Sequence, residues 1–467
     1  MEINPLVILV IGIVTVLGMI LVLRVNAFVA LISAAMLVGL LADQVPTEKK
    51  IQLVAEQFGV VTGKIGIVIA LAAMIGKCLM DSGAADRIVR GFLAVLGQKR
   101  APLALLSSGY ILSIPVFFDT VFYLMVPLAK AMRMRTGKDY VLYIMAISAG
   151  AVMTHSLVPP TPGPLTAGET LGVDIGVVMV TGMVIGLVGA LVGLGVWGVY
   201  VNRTLNIPLR ETPDVSLEEL EALSKRSEDE LPSLGLSLAP ILLPVVLITT
   251  NTVLSALAES NPESYADAAA WAKVLGNANL ALMLSSAIAM SMLAQRKRLN
   301  MKQLAVSMQP ALASAGVIIL ITAGGGAFGG MLNAAGVGEE IKQIAGQAQV
   351  GNLLWLVVAF GISVVLKVAQ GSGTVSIVVT SSMMASIVAD VDLGYHLVYL
   401  VMAIGCGSKV GSWMNDSGFW IVCQMSGFTE IETLKTWTLL LVIMGLVGFA
   451  MTLLLAVFLP HGLPFFG

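Results

Sequence analysis

The chain has 467 residues, of which 57% are hydrophobic and only 12% are charged. Soluble globular proteins carry about 25% charged residues, so this composition excludes a water-soluble protein and indicates an integral membrane protein. At ~20 apolar residues for each bilayer crossing, the length allows about ten spans with short loops. A net charge of −2 leaves no basic excess for nucleic acid. The three cysteines lie in apolar segments and predict neither disulfides nor a metal site.

Hydropathy divides the chain into two halves of similar layout. The first half, residues 1–202, and the second, 234–467, are joined by a linker at 203–233 that is rich in charged residues and serine. The first apolar stretch lacks a small-residue cleavage site ahead of the next one, which predicts a retained span. The straight spans predicted in chain order are 5–23, a second ending at Leu41, 65–80, 176–201, 238–257, 278–294, 311–332 and 435–459.

Each half also contains apolar runs that are interrupted. In the first half, the run 102–132 breaks near Pro115, and its arms are too short to cross, which favours a re-entrant hairpin. A later span runs into the loop 158–164, whose four prolines leave helical hydrogen bonds unmade and predict a broken helix. Such backbone is tolerated in a membrane only inside protein or beside a wet cavity. The second half is expected to repeat this layout, with a broken pair at 353–389 and a broken helix at 395–412.

The two halves resemble each other in residues as well as in hydropathy. A shift of 253 aligns 82–88 with 335–341, and a shift of 254 aligns the proline loop 159–164 with 413–418. Each half has five predicted crossings, an odd number, so the second half enters the membrane with the opposite sense. The predicted fold is an all-α polytopic membrane protein with two inverted-topology repeats of about five transmembrane helices each, re-entrant hairpins and discontinuous helices. This is the architecture of secondary transporters.

Basic residues predict the orientation. If Arg24 faces the cytoplasm, alternation of the spans places 19 of the 26 Lys and Arg residues on that side. The basic loops and the central linker are then cytoplasmic, and both termini lie outside. The expected location is the inner (cell) membrane.

Polar groups at the predicted interruptions are the candidates for a binding site, because a charge at the bilayer centre costs roughly 2.5–3.5 kcal/mol. Lys367 and Lys409 favour an anionic substrate, or else they neutralise Asp119 and Asp416. The tip 371–374 presents either backbone N–H groups to an anion or a helix-packing face. The candidate substrate-binding residues are Thr120, Thr161, Gly163, Lys367, Gln370, Gly371, Ser372, Gly373, Thr374, Lys409, Asn415, Asp416 and Ser417.

Two residues are candidates for carrying a coupled proton. Asp119 is a carboxyl group at a predicted interruption, and His155 has an ordinary pKa of ~6.5, close to neutral pH. A lone buried histidine is more often a simple hydrogen-bonding group, so that alternative stays open for His155. No ATP-binding GxxxxGK[ST] motif and no HExxH or Cys/His cluster is present. We therefore expect no catalytic residues, no resident metal and no cofactor.

Three segments together resemble the gluconate permease family of the ion transporter superfamily. They are 155–164 (HSLVPPTPGP), 369–375 (AQGSGTV) and 413–420 (WMNDSGFW), the last followed by ETLKTW at 432–437. The resemblance covers essentially the whole chain outside the linker. It implies a homo-oligomeric proton symporter for sugar acids and related hydroxy or amino-acid anions, in which hairpins and broken helices form an elevator-like transport domain.

This chain departs from the family pattern at three positions near the expected ligand. Thr161 and Trp413 stand where typical sugar-acid members have histidine, and Lys409 stands where the family is usually apolar. The departures leave the family resemblance intact, and they leave open the particular carboxylate and the coupling ion.

The predicted function is a symporter that imports a small carboxylate, such as gluconate or a related sugar acid, with protons. The alternative is a sodium-coupled carboxylate or D-amino-acid transporter of the same fold. A channel or an intramembrane enzyme would be a different class. The expected partners are a small anionic substrate, protons or sodium, the lipid bilayer and further copies of the chain.

Overall fold

The computed structural model describes residues 4–210, 231–337, 340, 352–389, 391–414 and 416–462, and no strand occurs among them. The first half contains α1 (Pro5–Leu17), α2 (Ala27–Leu41), α3 (Lys50–Asp81), α4 (Ala84–Leu96), α5 (Ala101–Leu112), α6 (Phe118–Thr136), α7 (Tyr140–Leu157), α8 (Pro162–Leu171) and α9 (Ile175–Thr204). The second half contains α10 (Leu234–Ser260), α11 (Pro262–Leu275), α12 (Ala278–Lys297), α13 (Met301–Ala334), α14 (Leu354–Gln370), α15 (Gly373–Val388), α16 (Val398–Gly407), α17 (Ser417–Ser426) and α18 (Glu430–Phe458).

Seven helices in the described part of the chain are long and apolar enough to cross a membrane, if the broken pair α7–α8 is taken as one. The others of these seven are α3, α9, α10, α12, α13 and α18. Several further apolar helices are shorter, among them both members of the pair α14–α15. The predicted all-α, polytopic membrane fold is confirmed.

Short polar side chains start many of these helices. Each accepts a hydrogen bond from a backbone N–H group that the first helical turn leaves unpaired. The caps are Asn26 for α2, Asp174 for α9, Asn277 for α12 and Asn300 for α13, which forms a capping box with Gln303.

All four predicted interruptions lie where the sequence placed them. The chain leaves helical geometry between α5 and α6, between α7 and α8, between α14 and α15, and between α16 and α17. Proline loops make two of these breaks, because a proline ring removes an N–H donor. Gly371 makes the third with a φ of 85°, a left-handed conformation that suits glycine.

Two details differ from the prediction. The amphipathic segment 51–61 and the span 65–80 form one continuous helix, α3, because the residues between them do not break helical geometry. Helix α11 was not predicted, although Asn261 caps it and Pro262 occupies its first position, which is a recognisable helix start.

The same order of elements recurs in the two halves. A long helix is followed by an interrupted pair, a broken helix and a final span in both. The long helices α3 and α13 end 253 residues apart, at Asp81 and Ala334, which matches the sequence shift. In an inverted repeat the two halves cross the membrane in opposite directions. This depends on the side of the membrane from which each interrupted helix pair enters, so inversion and orientation stay predictions.

The broken helices form the centre of the protein. All ten residues of α16 are buried, and α7 is buried along nearly its whole length. Close packing here requires glycine, since a Cβ on Gly182 of α9 would overlap the carbonyl oxygen of Leu157, the last residue of α7. The backbones of α7 and α9 are therefore in direct contact where α7 ends.

Gly182→Ala is expected to destabilise the protein by about 1–3 kcal/mol, because the backbone of α7 or α9 must move to admit the methyl group. Gly316→Ala in α13 is the matched control, since a Cβ at Gly316 would meet no atom within 4 Å. The measurement is the melting temperature of each purified variant in detergent. Equal melting temperatures would contradict the close packing of α7 against α9.

Candidate functional site

The helix ends that the four interruptions create converge in space. Lys367 in the last turn of α14 pairs with Asp416, the N-cap of α17. Phe118 at the start of α6 packs on Trp437 of α18, with ring centroids 5.0 Å apart. A Cβ on Gly163 in the first turn of α8 would lie 2.8 Å from Ile377 of α15. Both interrupted pairs and both broken helices thus contribute to one region.

A buried ion pair lies at the centre of this region. Lys367 is 3% exposed, and its Nζ donates to Asp416 Oδ2 at 2.6 Å and to the carbonyl oxygen of Gly371. Asp416 Oδ1 accepts from the N–H of Gly418 at 3.0 Å, so the same carboxylate caps α17. Ser412 donates its hydroxyl hydrogen to Oδ2. Asp416 is therefore well satisfied and already neutralises Lys367.

Ser412 is held in place by α18, which sequence reasoning did not identify as part of the site. Trp437 Nε1 donates to Ser412 Oγ at 2.8 Å, and Thr438 Oγ1 donates to the Ser412 carbonyl oxygen at 2.6 Å. The only sequence signal was that Trp437 belongs to the ETLKTW segment that carries the family resemblance. These bonds orient Asp416 through Ser412.

Lys409 follows the end of α16 and differs from Lys367 in having no counterion in the part of the chain that the structure describes. It is 6% exposed, and within the described residues its ammonium group makes no hydrogen bond or ion pair. A Cβ on Gly373 would lie 3.0 Å from its Nζ, so the ammonium group lies against the first residue of α15. A helix N-terminus carries a partial positive charge and unpaired N–H groups. Both features favour a negative charge at this position.

Asp119 and His155 lie within electrostatic range of these charges. Asp119, in the first turn of α6, interacts with Asp416 and Lys367. His155, in the last turn of α7, interacts with Lys409 and packs edge-on against Phe117. Its Nδ1 is buried and has no hydrogen-bond partner in the described part of the chain. The two lysines, two aspartates and one histidine thus form a single cluster.

The comparison with known families decides the class of protein. Residues 4–458 match the family model described as GntP family permease. The chain belongs to the GntP permease family. The permease is 34% identical over 453 residues to a gluconate permease of Pseudomonas aeruginosa, covering 96% of this chain and 97% of that protein. It is 29% identical over 427 residues to the low-affinity gluconate transporter of Escherichia coli K12, covering 91% and 92%.

Solved transporter structures share the fold of this permease. The YdaH transporter of Alcanivorax borkumensis has a TM-score of 0.65 at 14% identity, over 94% of this chain and 99% of that one. MtrF of Neisseria gonorrhoeae has a TM-score of 0.64 at 16% identity, over 91% and 94%. At these identities the likeness concerns the fold alone. The family predicted from three short segments is confirmed, and the permease is a multi-pass membrane transporter and not an enzyme.

The other predicted binding residues of the permease have varied surroundings. Thr161 is buried, and its hydroxyl group donates to the carbonyl oxygen of Val158 at 2.5 Å, which stabilises the proline loop. The side chain of Gln370 and the whole of Asn415 lie outside the described residues. Thr120, Ser372, Gly373 and Thr374 are half-buried, Gly163 and Gly371 are buried, and Ser417 is exposed. Their contacts with substrate stay predictions.

A separate cavity of about 230 Å³ lies between α3, α8, α13 and α15. Its lining includes Lys64 and Glu169, whose charged atoms are 3.9 Å apart, together with Asn333 and Ser386. None of the predicted site residues lines it. The charged cluster and this cavity are therefore distinct features of the permease.

Proposed function

We propose that this permease is a symporter that imports a small carboxylate together with protons. The names of its relatives make gluconate the first candidate substrate. Lys409 is the observation that carries the proposal, because its buried ammonium group has no counterion among the described residues and lies beside the N-terminus of α15. An unpaired buried charge is costly, and a substrate carboxylate would supply the missing partner.

Charge balance suggests how the substrate binds. Lys367 and Asp416 cancel each other, so Lys409 is the group that attracts the anion. The carboxylate accepts hydrogen bonds from Lys409 Nζ and from N–H groups of the first turn of α15. The hydroxyl groups of a sugar acid then meet the polar groups at the surrounding helix ends. The proposed contacts are Thr120, Thr161, Gly163, Gln370, Ser372, Thr374, Asn415 and Ser417.

Asp119 provides a physical basis for proton coupling. When its carboxyl group is ionised, it offsets the positive charge of the cluster and repels a second anion. When it is protonated, one positive charge remains and attracts the substrate. Proton and carboxylate therefore favour each other's binding, which is the linkage that symport requires. His155 is the second proposed carrier, since it interacts electrostatically with Lys409 and its buried Nδ1 has no hydrogen-bond partner among the described residues.

The arrangement in the membrane is part of the proposal. The composition and the relatives support an inner-membrane location. The distribution of basic residues supports cytoplasmic loops and linker, with both termini outside. The inverted repeat and the homo-oligomeric state are proposed on the recurring helix order and on the family resemblance.

Gluconate uptake by the purified permease in proteoliposomes tests the coupling. An inwardly directed proton gradient without sodium is expected to drive accumulation above equilibrium, and a sodium gradient at constant pH is expected to have no effect. Uptake that needs sodium and ignores the proton gradient would favour the sodium-coupled alternative. Uptake that follows only the gluconate gradient would overturn coupled transport.

Asp119→Asn is expected to abolish proton-driven accumulation while preserving exchange of gluconate across the membrane. The amide resembles the protonated carboxyl group, so the site keeps its attraction for the anion and loses the proton step. Asp81→Asn is the control, because Asp81 lies at the end of α3 and pairs with Lys77 at 2.7 Å and not with a residue of the cluster. Normal accumulation by Asp119→Asn would assign the proton to another group, with His155→Gln as the next variant.

A further inference from the structure

The beginning of the linker is fastened to the connection between α17 and α18. Ile207 is buried, and Arg210 forms a two-point ion pair with Glu432, with nitrogen–oxygen distances of 2.6 and 2.9 Å. Arg210 also donates to the carbonyl oxygen of Gly427 at 2.7 Å. Such a bidentate guanidinium–carboxylate pair fixes direction as well as distance. The contact joins residues that are 222 positions apart in the chain.

Glu432 uses its carboxylate a second time, to start α18. Its Oε2 accepts from the N–H of Thr429 at 2.7 Å, and its own N–H donates to Thr429 Oγ1 at 3.2 Å, which completes a capping box. The Glu432 carbonyl oxygen accepts from Thr436 Oγ1 at 2.7 Å. Arg210 therefore holds the first turn of α18 through the residue that organises it.

A π-helical turn follows directly within α18 and leads to the charged cluster. It spans Leu434–Thr438, and its last two residues, Trp437 and Thr438, both bond to Ser412. Trp437 lies within this π turn, so its direction depends on the backbone geometry that follows the first turn of α18. Ser412 in turn donates to Asp416. Consecutive contacts thus connect the linker to the ion pair.

The π turn is also anchored from α9. Trp197 lies in a second π-helical turn, Leu194–Gly198, and its Nε1 donates to the Lys435 carbonyl oxygen at 3.0 Å. The start of α18 is therefore held from two sides. Arg210 holds its first turn, and Trp197 holds the turn that carries Trp437.

We propose that Arg210 and Glu432 are positioning residues for the substrate site. Their ion pair fixes the first turn of α18. The π turn that follows places Trp437 and Thr438 so that they bond to Ser412, and Ser412 orients the Asp416 carboxylate beside Lys367. The proposal rests on the proposed function in that the substrate binds at the Lys409 and Asp416 cluster. Because the pair is partly exposed, we expect an effect on affinity of about two- to fivefold and not a complete loss.

Gluconate binding by the purified permease tests this role. Arg210→Gln is expected to raise the Kd about two- to fivefold, with Arg210→Lys between it and the wild type because one ammonium group cannot make both bonds. Arg203→Gln is the control, since Arg203 is exposed at the end of α9 and makes no ion pair within the described residues. An unchanged Kd in Arg210→Gln would overturn the proposal.

A double-mutant cycle separates positioning from general destabilisation. Trp437→Phe removes the N–H donor to Ser412 while keeping an aromatic ring beside Phe118. If Arg210 acts through Trp437, the double variant Arg210→Gln/Trp437→Phe binds gluconate about as weakly as the more affected single variant. If the double variant instead raises the Kd by the product of the two single effects, Arg210 and Trp437 act independently and the proposed connection is overturned.

A second measurement does not need a substrate. Ser417 is exposed at the first position of α17, whereas the three native cysteines are buried, so Ser417→Cys introduces one accessible thiol group in the described region. Arg210→Gln in this background is expected to change the rate of maleimide labelling several-fold, and Arg203→Gln is expected to leave it unchanged. Equal rates in all three proteins would overturn the positioning role. If the wild type fails to bind gluconate, gluconate is excluded as the substrate, and the labelling rates still decide the role of Arg210.

Discussion

Lys409→Gln is expected to raise the Kd for gluconate by roughly 30- to 5,000-fold, the effect of removing 2–5 kcal/mol from a buried charge contact. Glutamine keeps much of the length of the side chain and can still donate a hydrogen bond, but it cannot neutralise a carboxylate. The loss therefore reports the charge and not the shape of the site. Direct binding to the purified permease measures it without the complication of coupling.

Lys64→Gln is the control for Lys409→Gln. Lys64 has a half-exposed side chain and lines the separate cavity beside α3, so its charge is already screened by water. We expect its Kd to stay within about twofold of the wild type, as for an exposed charge. A normal Kd in Lys409→Gln would remove Lys409 from the binding site and with it the main support for an anionic substrate.

Lys367→Met is expected to destabilise the ligand-free protein by about 3–5 kcal/mol, because it leaves the Asp416 carboxylate buried without its counterion. The bonds from Ser412 and Gly418 remain, but neither group carries a charge. The measurement is the melting temperature in detergent without substrate. Lys367→Met/Asp416→Asn is expected to recover much of the loss, since the amide needs no counterion and can still cap α17.

The two buried lysines should respond in opposite directions in this assay. Lys409→Met removes a charge that has no counterion within the described residues, so the ligand-free protein is expected to melt at the same or a higher temperature. Lys367→Met removes one partner of an ion pair, so the melting temperature of the ligand-free protein is expected to fall. A similar loss of stability in both variants would contradict the different pairing of Lys367 and Lys409.

Local chemistry explains which parts of the fold were predictable. The four interruptions follow from prolines and glycines, whose backbone preferences act whatever surrounds them, as the left-handed Gly371 illustrates. The continuity of α3 was missed because a change from amphipathic to uniformly apolar character resembles a boundary even though no residue breaks the helix there. Helix α11 was missed because a short, weakly apolar segment gives little periodic signal.

The sequence predicted which charged residues belong to the cluster, but it did not predict which of them pair with each other. Sequence reasoning selected Asp119, Lys367, Lys409 and Asp416 because charges are rare in apolar segments. It left open which lysine has a counterion, since Lys367 and Asp416 are 49 positions apart and meet only through the fold. Ser412 and Trp437 were missed for the same reason, because a serine or tryptophan is unremarkable until its partner is known.

The five charged and titratable residues are unevenly divided between the halves of the chain. Asp119 and His155, the proposed proton carriers, come from α6 and α7, whereas both lysines and Asp416 come from the second half. Recognition of the anion and choice of the coupling ion thus depend on separate stretches of the gene. Selection for a new driving ion should therefore collect substitutions around α6 and α7, whereas selection for a new carboxylate should collect them between α14 and α18 and at the proposed first-half contacts Thr120, Thr161 and Gly163.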